Sequence, residues 1–71
     1  MFIKIGNSVY NANYIKEIFV SKNHIYFIFD KRINAEVVEY STPKTAELAL
    51  ENFVNYLSMF EKSNIYAFVG E

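Results

Sequence analysis

The run Ile25-Tyr26-Phe27-Ile28-Phe29 is apolar at every position, so a strand built from it presents apolar side chains on both faces. Such a strand needs cover above and below. That demand falls on a chain of 71 residues, near the lower size at which a domain buries enough apolar surface to fold, and one with no cysteine. Neither disulfides nor thiolate metal sites supplement the core. It must rest on packing within one domain, residues 1–71, or on a partner subunit.

Around the central run the N-terminal part reads as short extended segments separated by turn chemistry. Phe2 to Ile5 leads into Gly6-Asn7-Ser8, which favours a reversal into Val9-Tyr10, and Asn11-Ala12-Asn13 makes a second turn. Ile15 to Val20 is β-branched and aromatic, with Ile18 and Val20 pointing one way and Phe19 the other, and Ser21-Lys22-Asn23 closes a hairpin. After the polar turn Asp30-Lys31-Arg32, a strand from about Asn34 to Tyr40 places Ala35 and Val37 on one face and Val38 and Tyr40 on the other.

Thr42-Pro43 marks a helix start, because Thr accepts a bond from an unpaired amide of the first turn and Pro has no amide to satisfy. Steps of 100° put Ala46, Ala49, Leu50, Phe53, Tyr56, Leu57 and Phe60 on one arc, with Val54 at its edge, and Glu47, Glu51, Asn55, Ser58 and Lys62 opposite. Leu48 and Met59 share a stripe off this arc and mark a second contact. Lys62-Ser63-Asn64 ends the helix, and Ile65 to Val69 forms a strand that pairs beside the first strand or extends the sheet of another copy. The expected fold is α+β: an antiparallel β-meander of four to five strands packed on one C-terminal helix, then a short terminal strand.

The layout from Asn11 to Leu57 resembles that of the short flagellar-operon proteins with a strand meander and a terminal helix. The chain departs from that pattern in having no glycine at Asp30 to Arg32 and a strand after the helix. No site residue is carried over from the resemblance.

Catalytic chemistry is sparse. A Cys/His pair is excluded, and a Ser–His–acid site would have to be built on His24, the single histidine. Asp30 lies six residues along the same strand, about 20 Å away, so it cannot be the acid; Glu39 or Tyr40 on a neighbouring strand is the alternative. Glu36 with Glu39, and Glu47 with Glu51, have no metal-specific spacing, and Gly6 and Gly70 form no phosphate-cradling loop. The sequence predicts no enzyme, no cofactor, no metal and no small-molecule substrate.

No apolar run approaches the roughly 20 residues of a membrane span, and Met1 to Ile5 lacks the pattern of a secretory signal, so a cytoplasmic location is expected. Abundant Lys, Asn, Ile, Tyr and Phe with a single Arg suit an AT-rich coding sequence, as in some bacteria and phages.

Two binding roles remain. Apolar residues make up 52% of the chain, including seven Phe and six Tyr, more than one helix laid on one sheet can shelter. The unsheltered set, Phe19, Tyr26, Ile28, Val38, Tyr66 and Phe68 with Leu48 and Met59 on the helix, is the expected contact surface of a homodimer or of a small factor that binds or inhibits a partner protein. The competing arrangement has the terminal strands curl over that face as a partly closed barrel.

The second role is nucleic-acid binding. Residues 1–32 carry a net charge of +3 and residues 33–71 a net −4. Lys4, Lys16, Lys22, Lys31 and Arg32 interleave with Tyr10, Tyr14 and Tyr26, as in phosphate contact with base stacking.

Overall fold

A computed structural model describes residues 1–30, 35–59 and 65–70, and the side chain of Met59 lies outside that description. The strands are β1 (Phe2–Ile5), β2 (Ser8–Asn11), β3 (Ile15–Ser21), β4 (His24–Phe29), β5 (Glu36–Glu39) and β6 (Ile65–Phe68), with helix α1 (Pro43–Met59) between β5 and β6. The α+β class read from the sequence holds. The strands divide, however, into two three-stranded sheets, β2-β1-β6 and β3-β4-β5.

The division has a local cause at Asn11. Its side-chain oxygen accepts from the Asn13 amide at 2.9 Å and caps a 3₁₀ turn over Ala12–Tyr14, while the Ala12 amide donates to the Met1 carbonyl. The chain is thereby turned away before β3 can pair with β2. β3 then pairs with β4, its register slipping by one residue between Ile15 and Glu17, so that Lys16 sits in a bulge.

Both tight hairpins use positive φ. Gly6 opens the β1–β2 turn at φ 61°, where glycine carries no Cβ penalty. Lys22 opens the β3–β4 turn at φ 55° with a Cβ present, a strained choice for an ordinary residue. The next residue fastens this turn to the end of β5. Asn23 Nδ2 donates to the Tyr40 carbonyl at 2.7 Å, and the Tyr40 amide donates to the Asn23 carbonyl at 2.8 Å.

α1 begins where Thr42-Pro43 predicts. The Thr42 hydroxyl accepts from the Thr45 amide at 3.1 Å, which satisfies one of the orphan donors of the first turn. The expected helix end at Lys62-Ser63-Asn64 and the Asp30-Lys31-Arg32 turn fall wholly or partly outside the described residues, as do Phe60 and Asn34. After α1 the chain returns as β6 and pairs in parallel with β1, Ile3 opposite Tyr66 and Ile5 opposite Phe68. The terminal strand therefore joins its own sheet beside the first strand.

The core lies between the two sheets and α1. Ile25, Phe27 and Phe29 of β4 meet Ile3 and Ile5 of β1, Phe68 of β6, Val38 and Tyr40 near β5, and Ala46 and Phe53 of α1. Phe27, Ile3 and Ile25 are the largest fully buried side chains, and each contributes about 1.5–3 kcal/mol by leaving water. Phe68 meets both Phe27 and Phe53 ring to ring, at 4.9 and 5.1 Å. Val38 and Phe68, expected on a contact surface, are thus core residues: their register places them on the inner faces of the two sheets.

The helix is covered over less of its arc than its periodicity predicts. Ala46 and Phe53 are buried and Tyr56 packs on Tyr66, but Leu57 is 40% exposed and Val54 53%. These two lie on the flank that looks toward β3, which bonds only β4 among the described residues.

Candidate protein-binding face

The even-numbered residues of β4 point away from the core. Tyr26 and Ile28 lie on this outer face, and the antiparallel register sets Phe19 of β3 opposite Tyr26 and Glu17 opposite Ile28. Across the other edge of β4, Val37 of β5 is the partner of Tyr26. Phe19, Tyr26 and Val37 therefore form one apolar row across three strands, with Ile28 beside it.

The Phe19 and Tyr26 rings stack with centroids 5.1 Å apart and planes 9° from parallel. Such cross-strand pairs stiffen a sheet by about 0.2–1 kcal/mol and leave the outer ring surfaces open. Phe19, Tyr26 and Ile28 are half-buried, through their strand neighbours, and none belongs to the core or packs against it. Val37 is 44% exposed.

A polar margin bounds the row. The register aligns Ser21, His24 and Glu39 across the three strands. The cross-strand neighbour of His24 is thus Glu39. No side-chain hydrogen bond joins the three among the described residues, and the His24 ring instead lies 6.0 Å from that of Tyr26.

The remaining residues singled out from the sequence are dispersed. Tyr66 is turned inward, its ring 4.9 Å from both Phe53 and Tyr56, and burial pushes its hydroxyl above the ordinary tyrosine pKa. Leu48 is 46% exposed on α1, away from the β4 face, and the side chain of its stripe partner Met59 is outside the described residues. Among the basic residues, Lys4 borders a cleft of about 500 Å³ between the β1–β2 turn and β5, where its ammonium donates to the Gly6 carbonyl. Lys16 borders a separate hollow beside α1, and Lys22 stands at the tip of the β3–β4 hairpin. Lys31 and Arg32 lie outside the described residues.

A polar contact crosses between the sheets. The Tyr10 hydroxyl donates to the Glu36 carboxylate, and this bond, followed by desolvation, holds the Tyr10 pKa above its ordinary value. Tyr10 also packs on Phe29 at 4.7 Å, so its role is to tie β2 to β4 and β5.

Val37 is missing from the contact surface expected from the sequence, because alternation puts Val37 and Val38 on opposite faces without saying which face meets the core. No helix of the described residues is long and apolar enough to cross a membrane. No protein-family model matches the chain, and neither a curated protein nor a solved structure is significantly similar to it.

Proposed function

We propose that this chain works by binding protein, without catalysis, and that its outer β3–β4–β5 face joins it to a second copy. The observation that carries the reading is the row Phe19–Tyr26–Val37 with Ile28, an apolar surface on the far side of the sheet from the core. Two such faces stack about 10 Å apart in a β-sandwich, which shelters the aromatic rings from water on both sides. Glu17 on one margin and Ser21, His24 and Glu39 on the other keep a polar rim around the apolar centre, the arrangement of a protein interface. In a bacterial or phage setting such a dimer would serve as a small cytoplasmic factor that binds or inhibits another protein.

The nucleic-acid reading draws less support, because Lys4 and Lys16 border different hollows and Lys22 a hairpin tip. The two readings separate by experiment. Tyr26→Asp should convert the dimer to a folded monomer, as measured by light scattering together with circular dichroism. Association of the wild type should change little between about 50 and 200 mM salt, whereas phosphate-dominated binding would weaken at least tenfold. A folded Tyr26→Asp protein whose mass equals that of the wild type would overturn the proposal.

A further inference from the structure

α1 and β3 are both left partly uncovered along the line where they face each other. β3 is an edge strand, and its inward residues Ile15, Ile18 and Val20 are only half-buried. Opposite them stands the flank of α1 made by Leu50, Val54 and Leu57. Between the two run a hollow of about 390 Å³ beside Ile15 and Ile18 and one of about 430 Å³ beside Val20. Leu50 and Val54 line both, so the two hollows adjoin along this flank of α1 and together make a groove.

Three properties of the groove specify an occupant. The first is the free edge: among the described residues β3 bonds only β4, which leaves its other row of peptide groups to pair with an added strand. The bulge at Lys16 spoils that edge at its start, while Glu17 to Ser21 stays regular. The second is spacing. Ile18 and Val20 are two residues apart, about 6.6 Å along the strand, the repeat at which an added strand presents its own same-face side chains.

The third is charge. Glu47 and Glu51 border the hollow at Val20, with no cation among its described lining residues, so that end of the groove is acidic and suits a basic side chain. We infer that the groove receives an extended segment of another protein, paired with Glu17 to Ser21 of β3. Apolar residues at positions i and i+2 of that segment fill the two hollows, and an adjoining Lys or Arg meets Glu47 and Glu51. This site shares with the dimer reading only its protein-binding character, and it uses the opposite face of β3.

The test is titration of ¹⁵N-labelled protein with a synthetic peptide library of the pattern basic–apolar–Thr–apolar–basic, the apolar positions drawn from Val, Ile, Leu and Phe. The expected result is saturable shifts, with binding members in or below the millimolar range, centred on the amides of residues 17–21 and on Leu50, Val54 and Leu57. Val54→Glu, at an exposed position that leaves the fold intact, should weaken binding at least tenfold. Glu47→Lys with Glu51→Lys should shift preference to peptides bearing Glu at the basic positions. Tyr26→Asp should leave peptide binding unchanged even where it abolishes the dimer.

Absence of binding by every peptide up to about 1 mM, or shifts centred on Tyr26 and Ile28, would overturn the inference. So would concentration-dependent shifts of residues 17–21 and Val54 in the protein alone, since these would assign the groove to a second copy. A protein that stays monomeric yet binds peptides in the groove would refute the dimer and leave this site standing.

Discussion

At the scale of single residues, two backbone positions are set by what surrounds them. Gly70 lies so close to β5 that a Cβ built on it would stand 2.5 Å from the Glu39 carbonyl oxygen and 3.2 Å from Val38 Cγ1. Gly70→Ala is therefore expected to cost about 1–3 kcal/mol in urea unfolding, by forcing apart the end of the chain and β5. Lys22 carries a Cβ in the left-handed region, and Lys22→Gly should raise stability by about 0.5–1 kcal/mol, seen as a higher melting temperature. The constraint on Gly70 is not legible in the sequence, because it comes from a carbonyl 31 positions away. The hairpin at Lys22 was legible from Ser21-Lys22-Asn23, but its strained φ was not, since that φ follows from the two-residue spacing between Ser21 and His24.

At the scale of elements, the reading was most reliable where a local signal determines the outcome. Thr42-Pro43 places the helix start because a cap is a contact between near neighbours. Thr42→Ala should cost about 1 kcal/mol by thermal or urea melting. The buried side of α1 predicts a sharper contrast. Phe53→Ala should cost about 3–5 kcal/mol, enough to unfold most of a domain this small, whereas Leu48→Ser should stay within about 0.5 kcal/mol of the wild type. A loss for Leu48→Ser comparable to that of Phe53→Ala would show that the helix is rotated from the orientation described.

Periodicity was less informative about how far the cover extends. It grouped Leu50 and Leu57 with Phe53, since all share an arc, but the edge position of β3 leaves Leu57 open. Which strand ends a sheet is a question of topology, and the split into β2-β1-β6 and β3-β4-β5 arises at a 3₁₀ turn that the pattern of apolar residues does not reveal. The same split explains the exchange of Val38 and Val37. Alternation separated the two residues correctly, and only the position of the second sheet decides which face of β5 is inside.

At the scale of the whole molecule, both terminal strands fold back on the core, as Ile3, Ile5 and Phe68 demonstrate, yet they cover only one side of β4. Among the described residues the apolar run Ile25 to Phe29 thus finds one of its two covers. Its outward residues Tyr26 and Ile28, with Phe19 and Val37, are left to a second molecule under the dimer proposal. The most direct test is the mass of the purified protein by size-exclusion light scattering at micromolar concentration. A mass of twice the 8.3 kDa chain is expected, and 8.3 kDa at every concentration tested would contradict the account.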